Sequence, residues 1–377
     1  MTNNRITYKR LGDYIREVNV RNRELKVNRL LGLSIEKRFI PSIANTIGTD
    51  MAGYKVVRRG QFAYVPVTSR NGEKITVALL DDCDEAIISQ AYTVFEVVDC
   101  EKLLPEYLMM WFRRPEFDRY ARFHSHGSAR EVFDWDELCD VQLPVPNIER
   151  QREIVSEYET LTRRIRLNEQ MIEKLEATAQ ALYRHTFVDN IDKQNLPQGW
   201  RIGSLSELAD ITMGQSPDGE TYNMEGEGII FYQGRADFGN RFPTPRVYTT
   251  DPTRYAKEGD ILLSVRAPVG DINIAPHDCC IGRGLASLRS KNHCQSYLFY
   301  QMLELEQVFT ISDVDGTVFG SINKDDLYNI GVVIPNIQGM SMFEKQAFVI
   351  DKEIKLKDKE INILTELLSL LLAKIGK

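Results

Sequence analysis

From Ile154 onward, residues recur at alternating steps of four and three: Ile154, Tyr158, Leu161, Ile165, Asn168, Ile172, Leu175, Ala179 and Leu182. The same rhythm returns in Phe343, Ala347, Ile350, Ile354, Lys357, Ile361, Leu364, Leu368 and Leu371. Glu, Lys, Arg and Gln fill most positions between. Such spacing predicts two long helices, each with an a/d seam. Both seams are narrow, whereas a helix lying on its own globule shows a wider apolar stripe. A two-stranded coiled coil is therefore expected rather than two separately packed helices. The first helix carries the chain from one globular region to the next, and the second leaves that region, so the pairing should be antiparallel. Asn168 and Lys357 are the polar exceptions, each the fifth of nine seam positions. They are expected to meet at the crossing and fix the register, because a polar seam residue trades stability for alignment.

The helices belong to a larger repeat. Placing Gly127 on Gly316 lays "HGSAREVFDWDELCDVQLPVPNI" over "DGTVFGSINKDDLYNIGVVIPNI" without a gap, at an offset of 189 residues. In both, a Gly-Ser/Thr turn precedes a short acidic segment, a β-like run and a Pro-Asn-Ile corner. Pro146 and Pro335 stop the preceding strand because proline cannot donate to a ladder. Upstream, "RLGDYI" matches "GSLSELADI" and "RRGQFAYVPV" matches "KEGDILLSVRAPVG" with drifting offset. Four blocks in one order indicate a duplicated unit, an α/β globule followed by a long helix. The expected fold is α+β, with domains at 1–146 and 191–335 and helical spacers at 147–190 and 336–377. A helix of about 35 residues spans roughly 50 Å, against roughly 34–36 Å for one turn of B-DNA.

Composition adds little to this until charge is considered. With 377 residues, 43% of them hydrophobic and 27% charged, the chain fits a multi-domain globular protein. The opening "MTNNRITYKRLGDY" has no apolar signal core and no run is long enough for a membrane span, so a cytoplasmic location is expected. Six cysteines without C-x-x-C spacing fit a reducing compartment and argue against zinc. Cys279 and Cys280 read as strand residues. His124-x-His126 lacks a carboxylate or cysteine at ligand spacing and reads as a solvated loop, so no metal is expected. The net charge of −7 speaks against a surface that embraces nucleic acid everywhere, but leaves room for a local basic groove.

Two globules, each followed by a helix of the "LPVPNIERQREIVSEYETLTRRIRLNEQMIEKLEATAQAL" type, resemble the specificity subunit of Type I restriction–modification enzymes. "WRIGSLSELADITMGQSP", "EGDILLSVRAPVGDINIA" and "CIGRGLASLRS" look like that family's target recognition domains. The resemblance implies a non-catalytic subunit. Each globule would read one half of a bipartite, asymmetric sequence in double-stranded DNA, and the helices would set the spacing and bind two methyltransferase subunits. Restriction (translocase) subunits would then join. S-adenosylmethionine and ATP would belong to those partners, and this chain would need no cofactor. The residues agree with that division: there is no G-x-x-x-x-G-K-[ST] loop and no Asn- or Asp-Pro-Pro-Tyr segment. Gly282-Arg283-Gly284 lacks the third glycine of a dinucleotide loop and reads as a strand turn. The alternative is a structural adaptor, two protein-binding globules on a coiled-coil spacer without nucleic acid, which the acidic balance favours.

On the DNA-reading view, candidates are Arg, Lys, Asn, Gln, Ser and Thr on loops beside short strands. In the first globule, Arg58 and Arg59 precede a strand and suit phosphates. Asn71-Gly72 signals a hairpin whose tip carries Thr68, Ser69, Arg70, Asn71 and Lys74; a merely solvated hairpin is the competing reading. Ser128 and Arg130 lie on a turn able to approach the backbone. In the second globule the candidates are Gln215, Ser216, Gln233, Arg235, Asn240 and Arg241 on turn-rich loops. Ser264 and Arg266 stand at a strand end, Arg283 in the next turn, and Thr317 matches Ser128. Arg266 is the leading candidate base reader, with a structural salt bridge as its rival.

Overall fold

The computed structural model describes the chain except residues 1–7, 43–48, 70–71, 73, 128–129, 190, 312–320 and 377, and except the side chains of 306–311. It divides into two compact units, Met1–Asn168 with Glu360–Lys377, and Glu169–Lys359. The expected division put a boundary before each long helix; here the division falls near the middle of each helix, so each unit owns a globule and two half-helices.

In unit 1 the strands of interest are β1 (Tyr8–Arg10), β2 (Ile15–Val18), β3 (Phe62–Tyr64), β4 (Val77–Leu79) and β5 (Thr93–Val97). Helices α1 (Pro105–Phe112), α2 (Pro115–Phe123) and α3 (Trp135–Cys139) precede β6 (Gln142–Pro144) and the long α4 (Ile148–Phe187). Proline at the first position starts α1 and α2, where a missing N–H costs nothing. The antiparallel sheet runs β2-β5-β3-β4, and β1 pairs with β6. Phe62 stacks on Phe95 at 4.8 Å, and Phe112 meets both rings edge-on, anchoring α1 to the sheet.

Unit 2 repeats the plan with β7 (Arg201–Ser204), β8 (Ala209–Met213), β9 (Ile261–Ser264), β10 (Ile272–Ile274), β11 (Leu285–Ser290), α5 (Gln295–Ile311), α6 (Lys324–Tyr328), β12 (Gly331–Ile334) and the long α7 (Ile337–Ile375). Its sheet order is β8-β11-β9-β10, and β7 pairs with β12. The order matches unit 1 strand for strand, which bears out the duplication. Unit 2 also carries a mixed layer in which Cys279–Ile281 lies parallel to Ile229–Tyr232 and antiparallel to Tyr255–Ala256. Cys279 and Cys280 are buried strand residues, as read from sequence.

The recurring corner has a simple physical basis. Proline ends the strand, and the following asparagine caps the long helix. Asn147 Oδ1 accepts from the Arg150 N–H at 2.9 Å, and Asn336 Oδ1 from the Gly339 N–H at 2.8 Å. Every seam residue on α4 and α7 is buried or half-buried. Within unit 1 the half-helices run antiparallel: Arg164 Nε meets Glu360 Oε1 at 2.6 Å, while Ile154 and Val155 share a core with Ile375. Within unit 2, Ala179, Tyr183 and Phe187 pack with Phe343 and Ala347, with Tyr183 and Phe343 rings 5.6 Å apart.

Each long helix is also tied to the globule before it. Gln151, fully buried, accepts from the Leu104 N–H at the start of α1 (2.9 Å) and donates to the Lys102 and Pro146 carbonyls (2.8 Å each). In unit 2 the Glu344 carboxylate accepts from the Ser296 and Tyr297 N–H groups at the start of α5 (3.2 and 3.0 Å). Orphan donors of a globular helix are thus satisfied from the long helix. Burial pushes the Glu344 carboxyl up, although those hydrogen bonds pull the other way.

Candidate nucleic-acid interface

In unit 2, four separate loops converge on an open concavity of about 530 Å³, lined by Ser216, Pro217, Tyr222, Gln233, Arg266, Arg283 and Gly284. Four candidates chosen from sequence, Ser216, Gln233, Arg266 and Arg283, therefore share one wall. The loops approach main chain to main chain, which explains the glycines. A Cβ on Gly214 would stand 2.1 Å from the Gly282 oxygen, and one on Gly284 2.6 Å from the Gln233 oxygen. Gly282 and Arg283 form the turn between Cys279–Ile281 and β11, as expected.

The seats of the side chains are well fixed. The Arg283 N–H donates to Ser216 Oγ at 3.3 Å, and the Val265 N–H donates to the Gly284 oxygen at 2.9 Å. Asp237, buried, accepts from the Gln233 N–H (2.7 Å) and from Arg246 Nε (2.9 Å), which holds the Gln233 loop. Asn273 fastens the same loop further on, donating to and accepting from the Gly239 backbone at 3.1 Å. Tyr222 donates its hydroxyl to the Pro217 carbonyl at 3.0 Å, and burial raises its phenol. Arg266 and Arg283 are exposed, and among the described residues neither guanidinium has a carboxylate partner. The rival salt-bridge reading of Arg266 finds no partner there.

Equivalent positions in the two units are held alike. Val67 bridges Val132 in unit 1, and Arg266 bridges Ser321 in unit 2. In unit 1 the β3–β4 hairpin, the turn after α2 and the start of α3 meet around these residues.

Other candidates are placed differently. Three are withdrawn from the surface. Thr68 is 2% exposed, its hydroxyl taken by Ser125 Oγ (3.0 Å) and the Glu131 carbonyl (3.2 Å). Ser264 is fully buried and donates to the Pro268 carbonyl at 2.9 Å, closing its own hairpin. Arg241 is 5% exposed; its guanidinium lies 4.3 Å over Phe299 and pairs with Glu176 on α4 and Asp351 on α7. It clamps the loop to the helices, and a residue so enclosed is no surface contact.

Arg58, Arg59, Lys74 and Arg235 are exposed but carry acidic partners: Glu85 (3.9 Å), Asp84 (3.1 Å), Glu36 (3.1 Å) and Asp271. Ser69, Arg130, Gln215 and Asn240 are exposed without a side-chain partner among the described residues. Arg70, Asn71, Ser128 and Thr317 lie outside the described residues. Asn168 is 2% exposed, with Nδ2 unmatched, and Lys357 is half-buried with Glu353 Oε1 at 3.5 Å. One histidine reading needs correction: Glu137, thirteen residues beyond His124, meets His124 Nδ1 at 2.9 Å and His126 Nε2 at 3.4 Å. The fold supplies a carboxylate that linear spacing hid. Among the described residues no group of three or more His, Cys, Asp or Glu is placed to hold a metal ion.

Sequence reasoning missed Tyr222, Asp237 and Asn273. Tyr222 carries no signal before folding; Asp237 fixes its own loop through Gln233, Gly234 and Arg246, and Asn273 acts on a loop 34 residues back in the chain.

The Type I restriction modification DNA specificity domain matches residues 62–177 and 197–366. A chain of Methanocaldococcus jannaschii named as the type I restriction enzyme MjaX specificity subunit is 31% identical over 267 residues, covering 67% of this chain. The match spans 62% of that relative's own length. The type I restriction enzyme MjaIX specificity subunit of the same organism is 22% identical over 74% of this chain and 70% of its own. The crystal structure of a Type-I restriction-modification system S subunit from M. genitalium shares the fold, with a TM-score of 0.65 at 15% identity, covering all of this chain and 98% of the other. With its two matched segments falling on two globules of one topology, this chain belongs to the Type I restriction modification DNA specificity family.

Proposed function

We propose that the chain is the DNA-reading subunit of a Type I restriction–modification complex, each globule reading one half of a bipartite, asymmetric duplex target. The observation that carries the reading is the convergence of four loops of unit 2 on a concavity with two exposed, carboxylate-free arginines. Arginine with this freedom suits base edges and phosphates. Unit 1 offers the equivalent loop cluster with Ser69 and Arg130. The chain itself does no chemistry on this reading; S-adenosylmethionine and ATP are held by methyltransferase and restriction subunits in the cytoplasm.

The helices supply a docking face for those partners. In unit 2, Met342, Val349 and Leu356 follow one another at seven-residue steps on α7 and are 52–66% exposed. In unit 1, Ile363 and Leu370 stand seven residues apart on its last part with Leu367 between them, all three 45–60% exposed. These lie off the paired seam and form apolar stripes of the kind that mark protein contacts. The adaptor alternative draws on the same stripes but leaves the concavity and the family membership unexplained.

The test is methylation sequencing of host DNA with and without the gene. A bipartite motif should lose its methylation when the gene is deleted, and the full chain alone should bind DNA weakly with steep salt dependence. An unchanged methylation pattern would falsify the proposal.

A further inference from the structure

We infer that the concavity of unit 2 reads guanine: Arg266 and Arg283 address the O6 and N7 acceptors of G·C pairs in that unit's half-site. The inference rests on the DNA-reading function proposed above and assigns the bases that one surface takes.

The first support is the distribution of arginine partners. In unit 2, Arg184, Arg201, Arg235, Arg241, Arg246 and Arg289 each stand against a carboxylate. Among the described residues, only Arg254, Arg266 and Arg283 of that unit have none. Six of that unit's nine arginines are thus paired with an acid, so an unpaired guanidinium is the exception there. The three exceptions cluster. Arg266 and Arg283 line the concavity, and the Arg254 carbonyl accepts from the Ile281 N–H, two residues before Arg283. Thr253 beside it donates to the Gln215 carbonyl, at the concavity's edge. The guanidiniums left without an acid partner are thus gathered in one place.

The second support is rigidity at the roots of the two side chains. Arg266 follows Val265, whose carbonyl accepts from the Ile322 N–H and whose N–H reaches the Gly284 oxygen, both at 2.9 Å. Arg283 sits in the turn held by the Gly282 N–H to the Tyr232 carbonyl (2.8 Å) and by Ser216 Oγ. One backbone hydrogen bond therefore couples the two roots. A planar fork on a fixed stem, free of competing carboxylates, suits bidentate reading of guanine. Arg254 stands outside the lining and is assigned to phosphate.

The test is selection from a randomised duplex pool at low salt by the full chain, wild type beside Arg266→Ala, Arg266→Lys, Arg283→Ala, Arg283→Lys and Arg254→Ala, with melting curves confirming folding. The wild-type consensus should contain G·C pairs in one half. Alanine at 266 or 283 should relax one such position by about 10- to 100-fold and leave the other half intact. Lysine should restore it only in part, because its ammonium reaches the same acceptors without the planar fork. Arg254→Ala should lower affinity on all sequences and flatten the salt dependence. A wild-type consensus whose affected half lacks G·C, or uniform weakening on all sequences by alanine at 266 and 283, overturns the guanine assignment and leaves DNA reading standing. If the wild type enriches nothing, the DNA-reading function itself falls, and this assignment with it.

Discussion

Arg241 Nη1 lies 3.4 Å from Glu176 Oε1, joining a loop of the second globule to the second half of α4. The other end of the guanidinium pairs with Asp351, which also accepts from the Tyr300 hydroxyl at 2.8 Å. Removing the arginine strands these carboxylates in a poorly solvated place. Arg241→Ala should cost about 3–5 kcal/mol, most of it from the less exposed Asp351. Denaturant unfolding followed by Trp200 fluorescence, with Trp111 and Trp135 replaced by Phe, measures it. A loss below about 1 kcal/mol would contradict the clamp.

Gly284→Ala should damage recognition more than stability. Its Cβ would press on the Gln233 carbonyl oxygen at 2.6 Å and on Gly234 Cα at 3.2 Å. Relief comes from shifting the turn that carries Arg283, at about 1–3 kcal/mol for the overpacking. Sequence-selective binding should fall at least tenfold while the chain stays folded at room temperature. Unchanged selectivity would show that the turn is not where bases are read.

Asn168 buries an amide Nδ2 that has no acceptor. Asn168→Leu should therefore raise stability by about 1–3 kcal/mol, with the alignment of the helices loosened. Both effects are measurable. Melting temperature reports the first, and a double-mutant cycle on the Arg164–Glu360 ion pair, whose side chains meet at 2.6 Å, reports the second. A lower melting temperature would mean that the amide is satisfied.

The Glu344 carboxyl is held above its usual range because burial outweighs the Ser296 and Tyr297 N–H groups. A carboxyl raised in the folded state takes up protons on folding. Stability therefore falls as pH rises from the ordinary glutamate range through the folded-state value, and returns on acidification. Wild type should gain stability relative to Glu344→Gln as pH drops from 7 towards 4.5. Parallel melting curves for the two proteins across that window would remove Glu344 as the titrating group.

Much of the fold was legible because it rests on local chemistry. The two seams, the prolines that stop strands before α4 and α7, and the asparagines that cap them follow from neighbours within a few residues. The repeat added the shared topology, since Gly127 over Gly316 already carried the offset that aligns α3 with α6. The site was legible only in part. Ser216, Gln233, Arg266 and Arg283 could be chosen as polar residues on turns, and the fold brings them together. Arg241 looked the same in sequence, yet its partners Glu176 and Asp351 lie 65 and 110 residues away. Thr68 was lost for the same reason, its hydroxyl going to Ser125 and Glu131, whereas Ser264 turns to a carbonyl four residues on within its own hairpin.

The caps from Gln151 and Glu344 have a mechanical consequence. Each long helix completes the hydrogen bonding of a helix in its globule, so swivelling that joint strands main-chain donors at about 1–3 kcal/mol apiece. Thermal motion has little slack to exploit there, and each head moves with its own stretch of rod as one stiff lever. Changes confined to the loops can then retune what is gripped without loosening the handle.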